Sequence, residues 1–145
     1  MLVFMPAVPL PILVKGAEVS ASSVTASMIS VVEDDDALRE SLAAVFAAMG
    51  IQVSAFASAE DYLAAPTKGE SCLVADLELP GQDGAALTRV LQKRDPKVPV
   101  ILISGTVRAD LLANAESCGA RMLLRKPFDP MALVEAVRKT MPKHA

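Results

Sequence analysis

Asp76 closes the run Cys72-Leu73-Val74-Ala75-Asp76, and Pro80-Gly81 follows shortly after. A short apolar run of this kind reads as a buried strand that Pro-Gly terminates, so Asp76 falls where a central strand meets its loop. A carboxylate in that place can brace a turn; it can also serve as a nucleophile. Three further polar signals occupy equivalent places: Glu33-Asp34 after Met28-Ile29-Ser30-Val31-Val32, Ser104 after the apolar stretch 98–103, and Lys126 after Met122-Leu123-Leu124. Each has an ordinary explanation alone. Asp34, Asp35 and Asp36 could cap a helix, Ser104 could be a turn residue, and Lys126 a solvated charge. Together they specify a chemistry. Crowded carboxylates repel one another, which raises their pKa values unless a cation neutralises them. Mg²⁺ suits such a group, since it takes about six oxygens at roughly 2.0–2.1 Å and commonly uses only one or two carboxylates, with water and phosphate oxygens completing the set. Lys126 offers a mobile positive charge to one phosphoryl oxygen and the Ser104 hydroxyl a hydrogen bond to another. Asp76, central among them, could then attack phosphorus and become an aspartyl phosphate.

Bringing these residues together requires a particular arrangement of elements. After the first strand, Leu38, Leu42, Val45, Phe46 and Met49 recur at spacings of three and four, an amphipathic helix that Gly50 stops. Ile51, Val53 and Ala55 alternate with Gln52 and Ser54 as a second strand, and Ser58 caps a short helix carrying Tyr62 and Leu63. Past Asp76, a helix over 85–94 turns Leu87, Val90 and Leu91 inward, and the strand over 98–103 leads to a weaker helix over 110–117. Asp129 and Pro130 open a last helix with Leu133, Val134 and Val137 inward. Five strands alternating with five helices predict an α/β fold, a parallel sheet covered on both faces, with the wholly apolar runs 98–103 and 122–124 buried on both sides. In such sheets ligands bind at the carboxyl ends of the strands, where the winding reverses. The polar signals all fall there.

Composition narrows the function classes. With 145 residues and 52% hydrophobic content the chain can form one compact domain and hardly two. A net charge of −3 with both signs interspersed gives no basic stripe, so direct nucleic-acid binding is not expected. Cys72 and Cys118 have neither metal-ligand spacing nor a small-scaffold disulfide pattern and are expected to be reduced and buried, as in a cytoplasmic protein. No apolar run is long enough to cross a membrane. Residues 1–27 stand apart: Pro6, Pro9 and Pro11 interrupt an apolar beginning, and 20–27 are small and polar. They are expected to form a disordered leader, or to precede a true start at Met28; as an export signal they lack a basic beginning. The compact unit is expected over 28–141, with a short tail over 142–145 in which His144 is a solvated residue.

The chain resembles the receiver domain of two-component response regulators, those of the nitrogen-fixation type in particular, over residues 28–139. The resemblance rests on Val31-Val32-Glu33-Asp34-Asp35, Asp76-Leu77-Glu78-Leu79-Pro80-Gly81 with Gly84, Ile103-Ser104-Gly105, Gly119-Ala120 and Lys126-Pro127-Phe128, in the family's order and spacing. It implies a flavodoxin-like, doubly wound sheet with strand order 2-1-3-4-5. It further implies that Asp76 is the phosphoacceptor, that Glu33, Asp34 and Asp76 hold Mg²⁺ with the backbone carbonyl of Glu78, and that Ser104 and Lys126 contact the phosphoryl group. Glu78 and Thr106 match positions that tune its hydrolysis, and a cis peptide before Pro127 is usual. The implied partners are a sensor histidine kinase or histidine phosphotransfer protein, a downstream target protein, and a second copy through the fourth helix, fifth strand and fifth helix. With no output segment read after the last helix, a stand-alone receiver is expected. Such a protein modifies only itself and is no turnover enzyme.

One departure bears on signalling. The aromatic residue the family carries on the fifth strand is Leu123 here, so the signal is expected to travel through the loop that follows Ser104. Rival readings exist. A haloacid dehalogenase-type phosphohydrolase also uses Asp, Ser, Lys and Mg²⁺, but it places its nucleophile after the first strand. A receiver-like binding module that is never phosphorylated would not need the intact set Asp76, Asp34, Ser104 and Lys126. A flavin carrier is poorly served by a carboxylate-rich edge and sparse aromatics.

Overall fold

The computed structural model describes residues 28–66 and 69–141. The expectations for the leader over 1–27 and the tail over 142–145, His144 included, lie outside the described residues. Strands and helices alternate as β1 (Met28–Val32), α1 (Asp36–Ala48), β2 (Gln52–Phe56), α2 (Ala59–Ala64), β3 (Cys72–Asp76), α3 (Gly84–Arg94), β4 (Val100–Ser104), α4 (Ala109–Ser117), β5 (Met122–Arg125) and α5 (Pro130–Thr140). The strands form one parallel sheet in the order β2-β1-β3-β4-β5.

Successive residues of a strand point to opposite faces, so a strand covered on both sides must be apolar throughout. In β3, Leu73 and Ala75 join Tyr62, Leu87, Leu91 and Ala115 on the face covered by α2, α3 and α4. Cys72 and Val74 point the other way, toward Leu42 and Phe46 of α1 and Leu133, Val134 and Val137 of α5. Both cysteines are buried and free, as expected.

The two outer strands depart from the sequence reading. β4 is buried at every position, whereas β5, expected to be buried on both sides, is half-exposed at 122–124 and exposed at Arg125. β5 is the edge strand beyond β4, covered on one face by α4, itself a largely exposed helix. At the opposite edge, β2 loses its strict alternation, with Ala55 exposed and Ser54 half-buried.

Helix starts follow local chemistry. Asp35, Ser58, Asp83 and Asp129 each accept a backbone N–H of the helix they open, which satisfies donors that a helix leaves unpaired. α4 differs: its N-cap is Arg108, which makes no side-chain cap bond.

Candidate functional site

At the carboxyl edge of the sheet the loops after β1, β3, β4 and β5 converge. Asp76, the last residue of β3, is 4% exposed. Its Oδ1 accepts the N–H of Glu78 at 2.9 Å and its Oδ2 accepts from Lys126 Nζ at 2.8 Å. Glu33 follows β1 and is fully buried. Its Oε2 accepts the N–H of Asp35 at 3.1 Å, and its Oε1 lies 3.4 Å from the same Lys126 Nζ. The acidic run after β1 therefore divides its labour. Asp35 caps α1, accepting the N–H of Leu38 at 3.1 Å, and Asp36 pairs with Arg39. Asp34 is left exposed beside the buried pair, and Glu33, Asp34 and Asp76 each bring a carboxylate oxygen within 4.8 Å of the others.

Gly84 allows this packing. It opens α3 and donates its N–H to the Leu77 carbonyl at 3.0 Å. A Cβ there would lie 2.5 Å from the carbonyl oxygen of Asp76 and 2.9 Å from Leu77 Cα, closer than any side chain tolerates. The glycine lets the helix start press on the backbone that carries the aspartate. Gly81, with φ of 76°, turns the loop in a conformation other residues resist.

The electrostatics are those of an anion excess. Burial pushes the Glu33 carboxyl up to about 7, with the Asp76 charge adding to the rise and the Asp35 N–H and Lys126 opposing it. Burial pulls the Lys126 ammonium down, but the hydrogen bond and charge of Asp76, joined by Glu33, more than reverse this and raise it. Three carboxylates thus face one ammonium. The donor set is all oxygen, two of the three carboxylates are buried, and the charge is unbalanced, which suits a hard divalent cation.

Ser104, the last residue of β4, is fully buried. Its carbonyl accepts the Lys126 N–H at 2.8 Å, its Oγ accepts the Thr106 N–H at 3.0 Å, and Thr106 Oγ1 accepts the Arg108 N–H at 3.1 Å. The Lys126–Pro127 bond is cis. The Glu78 side chain is exposed. Leu123 packs into the core face under α4 and lines a cleft of about 190 Å³ with Leu102, Ala115, Ala120 and Met122.

Sequence reasoning missed two groups. Arg39 donates to the Glu33 carbonyl oxygen at 2.8 Å and so fixes the backbone of the β1–α1 loop. At the other end of the sheet, Glu70 is buried and accepts from Ser30 Oγ at 2.6 Å and Tyr62 Oη at 2.7 Å. A serine inside an apolar strand and the chain's single tyrosine were the available signals. Glu70 itself sits in a polar loop and gave none.

The sequence pattern of the response regulator receiver domain matches residues 29–138. The chain belongs to this family. The receiver is 36% identical over 118 residues to the transcriptional regulatory protein FixJ of Azorhizobium caulinodans, covering 81% of this chain and 56% of that protein. It is 36% identical over 124 residues to nodulation protein W of Bradyrhizobium diazoefficiens, covering 85% and 54% respectively. It therefore spans about half the length of these curated relatives. Among solved structures, a CheY-like receiver domain protein from Methanospirillum hungatei has the same fold, with a TM-score of 0.74 and 24% identity over 78% of this chain and 91% of that one. The BeF3-activated DrrB receiver domain gives a TM-score of 0.71 and 25% identity over 79% and 96%. The expected doubly wound fold and strand order are those found. Among the described residues, no helix is long and apolar enough to cross a membrane.

Proposed function

We propose that residues 28–141 form a receiver that takes a phosphoryl group onto Asp76 from a phosphohistidine of a sensor kinase or phosphotransfer protein, and signals by protein contact. The observation that carries this reading is the single ammonium of Lys126 placed 2.8 Å from Asp76 and 3.4 Å from Glu33, beside a third carboxylate, Asp34. An Asp76 carboxylate oxygen attacks phosphorus, the P–N bond to the donor imidazole breaks, and its electron pair leaves with the histidine. Lys126 moves from the carboxylate to an equatorial phosphoryl oxygen. Ser104 donates its hydroxyl to another. Glu33, Asp34 and Asp76, with the Glu78 carbonyl, would hold Mg²⁺, which when bound neutralises charge on the phosphoryl oxygens. Water attack on the acyl phosphate later returns the Asp76 carboxylate and inorganic phosphate, with Glu78 and Thr106 placed to tune that step. The protein changes only itself in this cycle.

The output surface on this reading is the face of α4, β5 and α5, toward a downstream protein or a second copy. Partners at both steps are proteins of the cytoplasm rather than nucleic acid or membrane. The test is intact mass after exposure to a small-molecule phosphodonor with and without Mg²⁺. One phosphoryl group is expected on the wild type with Mg²⁺ and none on Asp76→Asn. No gain in a folded, Mg²⁺-binding wild type would replace this reading with a binding module that is never phosphorylated.

A further inference from the structure

Asp34 joins the acidic cluster from an exposed position, and among the described residues no hydrogen bond holds its carboxylate. Its direction is therefore set by its backbone. A peptide unit is planar, so the Cα–Cβ bond of a residue is aimed once the peptide planes before and after it are fixed. The plane after Asp34 is held by the Asp35 N–H, which donates to Glu33 Oε2 at 3.1 Å. The plane before it is held by Arg39, whose Nη1 donates to the Glu33 carbonyl oxygen at 2.8 Å. Glu33 is anchored to the sheet in turn, its own N–H donating to the Phe56 carbonyl at 3.0 Å.

The two clamps differ in origin. Glu33 is itself one of the three carboxylates, whereas Arg39 stands outside the cluster, in the first turn of α1, with its N–H on the Asp35 carbonyl at 2.9 Å. Its side chain folds back over the loop and is only 18% exposed, while the Asp36 carboxylate that its Nη2 meets is 81% exposed. So exposed a pair contributes little. The bond to the Glu33 carbonyl is charge-assisted and better shielded, and a planar guanidinium engaged at two nitrogens holds one orientation.

We propose that Arg39 is a positioning residue for the cation site: by fixing the Glu33–Asp34 peptide plane it keeps the Asp34 carboxylate in reach of Asp76, and so raises the affinity for Mg²⁺. The proposal rests on the cation site of the function proposed above. Charge and position make opposite demands here. A guanidinium beside an acidic cluster repels a divalent cation, so by charge alone its removal would tighten binding. By position its removal loosens binding, on the scale of the 10–100-fold that groups orienting metal ligands from behind commonly command.

Calorimetric titration with Mg²⁺ alone, on the wild type and Arg39→Met, tests this. The variant should bind Mg²⁺ about tenfold more weakly, and Arg39→Lys, which keeps a charged donor for the carbonyl, should recover to within about threefold of wild type. At saturating Mg²⁺, beryllofluoride, a mimic of the phosphoryl group, should bind the methionine variant within about twofold of wild type, since the site is complete once the ion is held. If methionine disturbs folding, Arg39→Ala, with a good helix former at that place, carries the same expectations. A folded methionine or alanine variant with unchanged or tighter Mg²⁺ binding would overturn the proposal and leave the cation site standing, even if its thermal midpoint fell. A loss of beryllofluoride binding that saturating Mg²⁺ does not restore would overturn it as well. A wild type that binds no Mg²⁺ would bring down the proposal together with the reading beneath it.

Discussion

The sheet carries a buried acidic group at each end, and the two are built in opposite ways. At the amino end, Glu70 has one oxygen on Ser30 Oγ and the other on Tyr62 Oη. Burial, with the acceptor and charge of Glu70, holds the Tyr62 phenol well above its usual range, so it stays a donor. Phe56 packs edge-on against its ring with centroids 5.5 Å apart. That end is satisfied by neutral hydroxyls and closed. At the carboxyl end, Glu33 and Asp76 share Lys126, and Asp34 lies beside them as a third carboxylate. Charge there is left over and groups are free to accept more. A satisfied buried carboxylate ties elements together, whereas an unsatisfied cluster at the strand ends of an open α/β sheet is a place for ligands.

Removing Lys126 should break the carboxyl end most severely. Lys126→Ala loses the cation that would neutralise phosphoryl oxygens, a kind of loss that costs on the order of 10²–10³ in rate. Phosphoryl gain from a small-molecule donor, followed by intact mass, should slow to that extent. The thermal midpoint should fall too, since Glu33 and Asp76 remain buried without their partner, and Mg²⁺ should restore more of it than in the wild type. A variant phosphorylated at the wild-type rate would remove Lys126 from the chemistry.

At the amino end Tyr62→Phe leaves one buried oxygen of Glu70 without a donor, a change that costs about 1–3 kcal/mol of stability. Denaturant unfolding should show that loss, equal with and without Mg²⁺, and phosphorylation should keep its rate. The contrast between the ends fails if Mg²⁺ rescues this variant, because Glu70 would then belong to a cation site.

How much of this could be read from residue order follows from the same contrast. The reactive end is assembled from strand ends, and every strand end carries its own local signal: an apolar run, then a polar residue, then a turn. The α/β alternation and the position of Asp76, Ser104 and Lys126 were therefore legible. Glu70 was not, because nothing local distinguishes a loop carboxylate that folds inward from one that faces water; only Tyr62, eight residues earlier, and Ser30, on another strand, make its burial tolerable. The half-exposure of β5 was hidden for a related reason. An apolar run reports what a strand is made of, while its exposure depends on being outermost and lying under the thinly seated α4. Arg39 escaped because its work is on a backbone carbonyl, which has no sequence signature.

Acidity sharpens the comparison further. Glu33 is held near 7 by burial first and the Asp76 charge next, so the folded protein keeps this proton more tightly than the unfolded chain does. By linkage, stability of the metal-free protein falls as pH rises from the ordinary carboxylate range toward 7. Mg²⁺ binding should offset that fall and release a proton, since a ligand carboxylate must be ionised. Affinity for Mg²⁺, measured by calorimetry in two buffers of different ionisation enthalpy, should drop about fivefold between pH 7 and pH 6 as that one proton competes. A flat profile would mean that Glu33 is not among the groups that hold the ion.

The smallest expected effect separates the chemistry from its readout. Leu123 pairs with Leu102 across the sheet and lines the cleft beneath α4, one strand end away from the carboxylates. Leu123→Phe places a larger apolar side chain at a half-exposed edge position, where it can extend into the cleft instead of straining a closed core, so stability should change by less than about 1 kcal/mol. Phosphoryl gain should stay within about twofold of wild type, because Asp76, Lys126 and Ser104 keep their partners. α4 is where a difference is expected, since the ring fills space the helix would otherwise move into, and exchange over 108–112 should respond less to beryllofluoride. If phosphorylation itself slowed tenfold, the carboxyl end would depend on packing under α4, and the division between a self-sufficient reactive edge and a separate readout helix would have to be given up.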